Sequence, residues 1–175
     1  MNLPATLMRF QSGFEIMETA LEVAQEKMGT LQSNTAQVGG YDTGAGSLSK
    51  LEDILRPRRD LNPTGIVFLI DHYFRNSTLQ DQLPIQSADL VIYVDTSHEP
   101  STRSVDQLKA LTVSHYSDNL PTAIVGIGGG STLDTAKAVS NLLTNPGPSA
   151  NYQGWDLVKN PGVYKVGIPT LAGTG

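Results

Sequence analysis

The run Ala123-Ile124-Val125-Gly126-Ile127-Gly128-Gly129-Gly130-Ser131-Thr132-Leu133-Asp134-Thr135-Ala136-Lys137 constrains this chain more than any other stretch. Its first part reads as a buried strand, its centre is three adjacent glycines, and its last part begins a helix. Glycines in succession open backbone angles that are closed to other residues and let a ligand approach the main chain. The helix behind them offers unpaired N–H groups and the positive end of its dipole, which suits a phosphate or pyrophosphate. Ser131, with Asp134 three residues on, predicts an N-cap and a capping box. Leu133, Ala136, Ser140 and Leu143 mark the inward stripe, and Asn145-Pro146-Gly147-Pro148 predicts the stop.

The segments on either side have to be compatible with that unit. Gly65-Ile66-Val67-Phe68-Leu69-Ile70-Asp71 is an almost continuous apolar run, the pattern of a strand covered on both faces. It ends on Asp71. Ligands of nucleotide-binding sheets lie off the carboxyl ends of strands, where an acid can accept hydrogen bonds from a ribose diol; an Asp there is equally a common turn former. Ala88–Val94 predicts another strand, 95–102 a polar loop, and Ser104, Val105, Leu108, Leu111 and His115 one face of a helix. A last strand is expected around Val163–Ile168. Strand and helix alternate, which predicts a parallel α/β sheet with right-handed crossovers.

Upstream, Thr35–Tyr41 predicts a short strand. Ser47 is expected to cap a helix carrying Leu51, Ile54 and Leu55, with Arg56-Pro57 ending it. Phe14, Met17, Leu21, Ala24 and Met28 recur at helical spacing, so residues 1–34 are expected to form a helical extension that ends near Gly29 and packs on a core or partner.

Composition excludes several function classes. A net charge of −5 leaves no basic footprint for nucleic acid, and the absence of cysteine excludes disulfides and thiolate metal sites. Met1–Phe10 carries no signal-peptide core, and no apolar run approaches the roughly 18 residues of a membrane span. A single cytoplasmic domain is the expectation for 175 residues of this composition.

The common nucleotide loops do not match. A P-loop needs Gly-x-x-x-x-Gly-Lys-Ser/Thr, which is absent; in the Rossmann pattern started at Gly126 the third glycine is replaced by Ser131, and the strand-end acid lies upstream rather than downstream. Gly128-Gly129-Gly130-Ser131-Thr132-Leu133-Asp134-Thr135-Ala136-Lys137 instead resembles the Gly-Gly-Gly-Ser-x-x-Asp-x-Ala-Lys signature of the iron-containing (group III) alcohol dehydrogenases. Ile168–Gly175 resembles that family's second signature. Gly44-x-Gly46-Ser47-Leu48, the strand ending in Asp71, and Glu99-Pro100-Ser101-Thr102 follow in family order, so the resemblance covers about residues 35–175. Within the family, Thr144–Gly147 and Tyr152–Leu157 look most like the 3-deoxy-manno-octulosonate 8-oxidases.

The resemblance implies a parallel-sheet NAD(P)-binding domain of the dehydroquinate synthase-like type over 35–175, without the helical metal domain. It implies that Gly128, Gly129, Gly130 and Ser131 hold the pyrophosphate, that Asp71 meets the adenosine ribose, and that Thr170 and Thr174 line the nucleotide. Asp134 and Lys137 fall near the cofactor by the same resemblance, although Asp134 is already satisfied as a capping acid and Lys137 could pair with it. An acid at the strand end favours NAD over NADP, since it would repel a 2′-phosphate.

The family's iron or zinc is held by an Asp and three His beyond the second signature. His72, His98 and His115 match none of these ligands, so no metal or catalytic residue is assigned. The implied activity is oxidation of a primary alcohol to an aldehyde, with the terminal hydroxyl of a sugar acid as substrate. The chain by itself is expected to be inactive. Alternatives are a stand-alone nucleotide-binding or interaction module, or a glycerol dehydrogenase or dehydroquinate synthase-type relative. Apolar surface left by a missing partner domain makes a homodimer an option.

Overall fold

The computed structural model describes residues 7–10 and 38–171. Six strands and three α-helices are present among the described residues. The strands are β1 (Leu7–Phe10), β2 (Val38–Asp42), β3 (Ile66–Asp71), β4 (Leu90–Val94), β5 (Ala123–Gly128) and β6 (Lys165–Pro169); the helices are α1 (Leu51–Leu61), α2 (Thr102–His115) and α3 (Gly130–Thr144). They form one sheet in the order β2-β1-β6-β5-β3-β4. The four strands from β6 to β4 run parallel, as the alternating pattern predicts.

β3 and β5 are flat runs of buried residues because both of their faces are covered. Ile66, Phe68 and Ile70 face Leu51, Ile54 and Leu55 of α1. Val67 and Leu69 point the other way, into a cluster with Val105 of α2 and Ala136, Val139 and Leu142 of α3. The period of two along each strand thus feeds two cores, giving three layers.

The chain passes from β3 to β4 on one side, then returns to place β5 on the other side of β3. The order therefore reverses between β3 and β5. Crevices at such switch points, off the carboxyl ends of the strands, are where open α/β sheets take their ligands. Here the two strands end on Asp71 and Gly128.

Three local expectations are corrected, and one falls outside the described residues. β1 is an antiparallel strand between β6 and β2, so the sheet is mixed; it had no legible signal, being four residues long. The expected amphipathic helix over 14–28 lies outside the described residues. α1 does not end at Arg56-Pro57 but continues to Leu61. Its last turn is held from outside, Arg58 lying over the Tyr164 ring at 4.2 Å and Arg59 bonding Asp89 with both terminal nitrogens at 2.8 Å. These contacts offset the hydrogen bond that Pro57 removes. Ser47 does not cap α1: it sits inside a 3-10 turn, Ser47–Lys50, entered through Gly46 at φ 82°.

The capping box expected at Ser131 and Asp134 is not formed either. α3 starts two residues earlier than that cap implies, at Gly130, with Gly129 as its N-cap and no side-chain cap. Asp134 pairs instead with Lys137 at 3.0 Å on the exposed face. The capping box that does exist is at α2, where Ser101 Oγ accepts from the Ser104 N–H at 3.1 Å.

Candidate functional site

None of the three adjacent glycines uses a left-handed backbone. The described glycines with positive φ are Gly44, Gly46, Gly65 and Gly147, so the conformational argument for Gly128–Gly130 does not hold. The chain passes from β5 into α3 with ordinary angles, and the glycines are required for space. A Cβ on Gly128 would lie 2.5 Å from Thr132 Oγ1, 2.7 Å from Thr132 Cβ and 3.0 Å from Asp71 Cβ. A Cβ on Gly126 would meet Ala136 Cβ at 2.7 Å. Gly126 and Gly128 therefore let α3 close onto the sheet. Gly129 faces the Leu171 side chain, at 3.1 Å from its own absent Cβ. Only Gly130 of the three opens onto free space, with nothing within 4 Å.

That open position coincides with unpaired donors. The first helical bond of α3 runs from the Leu133 N–H to the Gly129 carbonyl at 3.1 Å. Among the described residues, the amides of Gly130, Ser131 and Thr132 have no acceptor. Thr132 is fully buried and its hydroxyl also lacks a partner. An end with three free amides attracts an anion by hydrogen bonding and by the helix dipole together.

Asp71 stands beside this end. Its Oδ1 accepts from the Tyr73 N–H and from the Thr96 hydroxyl, both at 3.0 Å. The Thr96 N–H donates to His72 Nδ1 at 3.2 Å. Thr170, after β6, joins the same end by donating its N–H to the Gly128 carbonyl at 3.0 Å.

Between the loop after β4, the first turn of α2 and the first turn of α3 lies a cavity of about 390 Å³. Its apolar wall includes Tyr93, Val94, Leu108 and Leu111, and its polar rim includes Thr96, Ser131 and Thr135. Asp95 is on the same rim, its carboxyl lowered from the ordinary carboxylate value by hydrogen bonds from the Ser97 hydroxyl and N–H.

The structure thus brings Asp71, Gly128, Gly129, Gly130, Ser131 and Thr170 to one end of the sheet. Asp134 and Lys137 lie one and two turns along α3, exposed and paired with each other. Thr174 lies outside the described residues. His72, His98 and His115 are exposed, and among the described residues no His, Asp and Glu cluster could hold a metal ion. Thr96 and Thr135 were not legible as site residues: each is a lone threonine whose neighbours across the site are distant in sequence.

A three-layer domain with an open helix end and an acid at its switch point defines the class of nucleotide-binding α/β domains. The chain belongs to the iron-containing alcohol dehydrogenase family, whose profile matches residues 41–175. It is 38% identical over 97 residues to a sulfoacetaldehyde reductase of Bilophila wadsworthia, covering 55% of this chain and 24% of the relative. It is 37% identical over 87 residues to the NAD-dependent methanol dehydrogenase of Bacillus methanolicus, covering 50% of this chain and 22% of the relative. Among solved structures it resembles the sulfoacetaldehyde reductase from Bifidobacterium kashiwanohense in complex with NAD+, with a TM-score of 0.50 at 22% identity over 63% of this chain and 28% of that one. That last likeness is one of fold. The matched stretch spans about a quarter of the length of these relatives.

No described helix is long and apolar enough to cross a membrane.

Proposed function

We propose that this chain is the cofactor-holding half of an NAD-dependent alcohol oxidoreductase. The observation that carries the reading is the open end of α3, where three free amides and the uncovered Gly130 lie at the switch point beside Asp71. In this reading Gly128, Gly129, Gly130 and Ser131 cradle the pyrophosphate, and the free amides of Gly130–Thr132 supply its hydrogen bonds. Asp71 accepts from the adenosine ribose, and the cavity with Tyr93, Leu108 and Leu111 takes the base. Thr170 and Thr174 line the nucleotide, while Asp134 and Lys137 face the cleft beyond it.

The residues present fit the group. A bound nicotinamide would supply a hydride acceptor for the carbinol carbon, and the chain's own residues would bind and orient it. In this reading Asp71, with Asp95 on the other side of the His72 ring nitrogen, would repel a 2′-phosphate on the ribose, which favours NAD over NADP. The NAD-dependent methanol dehydrogenase among the relatives supports the same choice.

The family's iron or zinc would polarise the substrate hydroxyl. We expect the 175-residue chain to bind cofactor without turning over alcohol by itself. The finer assignment, the terminal hydroxyl of a 3-deoxy-octulosonate, draws on the likeness of Thr144–Gly147 and Tyr152–Leu157 to that group of enzymes. Those residues build a connection pinned to α2, with Lys109 bonding the Asn145 and Gly147 carbonyls. They support kinship more than substrate contact.

Titration of the purified chain with NADH and NADPH, followed by nicotinamide fluorescence, tests the reading. Saturable binding of NADH, tighter than of NADPH, is expected. Absence of saturable binding of either nucleotide would overturn it.

A further inference from the structure

Asp71 carries the preference for NAD only if its carboxylate is aimed, and the structure shows what aims it. Oδ1 is engaged twice, by the Tyr73 N–H from its own turn and by the Thr96 hydroxyl from the loop after the neighbouring strand. A carboxylate oxygen has two lone-pair sites, so these bonds fill Oδ1 and leave Oδ2 as the acceptor for a ligand. The Tyr73 bond alone closes a two-residue ring and lets the carboxylate turn about its terminal torsion, which has a broad, roughly two-fold profile. The Thr96 bond ties it to β4 and stops that rotation.

The Thr96 hydroxyl has one other acceptor in reach, His72 Nδ1 at 3.4 Å. That nitrogen already accepts the Thr96 N–H at 3.2 Å. The hydroxyl proton is therefore committed to Asp71, and the backbone bond fixes where the hydroxyl sits. Thr96 also lines the cavity beside Ser131 and Thr135. The link spans 25 residues and is part-buried, so it is a tertiary contact and not a turn motif.

We infer that Thr96 is a positioning residue that orients Asp71 toward the 2′-hydroxyl of the adenosine ribose and thereby sets the preference for NAD over NADP. The inference rests on the reading of the site given above. A 2′-phosphate has no hydroxyl proton to give to Oδ2, so NADP(H) draws nothing from the aimed carboxylate, whereas NAD(H) does. Thr96→Val keeps the shape and the charge of Asp71 but removes the bond; Thr96→Ser restores it.

The test is a fluorescence titration of the wild type, Thr96→Val and Thr96→Ser with NADH and NADPH, with thermal melts of all three. For Thr96→Val the Kd for NADH should rise about fivefold, the scale of one modest hydrogen bond, while that for NADPH changes less than about twofold. Thr96→Ser should stand near the wild type in both. An unchanged NADH/NADPH ratio in Thr96→Val, whether through no loss or through equal loss for both, would overturn the inference while leaving the proposed function intact. A wild type that binds neither nucleotide would remove both. If Thr96→Val melts too early to titrate, Thr96→Ala in its place must show the same narrowed ratio, and failure to do so counts against the inference.

Discussion

Replacing Gly128 and Gly130 separately by alanine distinguishes the two reasons a glycine can stand in this loop. At Gly128 the added methyl would meet Thr132 Oγ1, Thr132 Cβ and Asp71 Cβ at 2.5, 2.7 and 3.0 Å. Ordinary contact distances between such atoms begin near 3.4 Å, so neighbours on two different elements must each give way by several tenths of an ångström. Thr132 is on the first turn of α3 and cannot retreat without moving the helix. Overpacking of this kind costs about 1–3 kcal/mol. For a domain of this size that is a fall in Tm of roughly 2–4 °C per kcal/mol.

At Gly130 the methyl meets nothing within 4 Å. The position is the first of α3, where alanine is a better helix former, so stability should hold or rise by a few tenths to about 1 kcal/mol. The same methyl would occupy the space in front of the free amides, and NADH affinity should fall about tenfold or more, the loss expected when a binding group is displaced from its donors. Urea denaturation and NADH titration of both variants read the two effects. Gly128→Ala as stable as the wild type would refute the packing argument. Gly130→Ala binding NADH normally would refute the placement of the anion.

Two further predictions concern the other end of the sheet. The Asp89 side chain is fully buried and accepts from both terminal nitrogens of Arg59 and from the Ile66 and Gln86 amides, all at 2.8 Å. Asp89→Ala strands the Arg59 charge and two amides and should destabilise the chain by about 3–5 kcal/mol in urea; a loss below 1 kcal/mol would contradict it. Tyr116 donates to the Ile66 and Ala88 carbonyls, and its phenol is pushed up to about 12, by burial first and then by Asp89. The folded state keeps that proton while the unfolded chain releases it near pH 10, so stability should fall between about pH 10 and 12, by on the order of 2 kcal/mol. Tyr116→Phe should lose the alkaline slope, and denaturation at pH 8 and pH 11 would show the opposite if the wild type and variant declined in parallel.

The connection that follows α3 illustrates how a motif and its structural role can differ. Asn145 was legible as part of a helix stop, and it is one. Its buried side chain donates to the Asn141 and Asn160 carbonyls and accepts from the Lys159 and Asn160 amides, organising the whole connection to β6. Nothing in the linear pattern distinguishes that role from substrate contact, because the partners lie up to 15 residues away.

Local chemistry by itself determined the strand, glycine loop and helix at 123–144, the parallel core strands β3 to β6, and an acid at the end of β3. Each of these depends on apolar periodicity, on breakers, or on the place of a residue within its own element. Tertiary structure alone decided the rest. It showed that Gly128 is needed for the approach of Thr132 and Asp71 rather than for its backbone angles. It carried α1 past Pro57 through Arg58 and Arg59, and it slotted β1 in antiparallel beside β6. It also joined Thr96 to Asp71 across two strands. Those outcomes depend on which atoms meet after the sheet has formed, and residues distant in the chain leave no periodic trace of where they will meet.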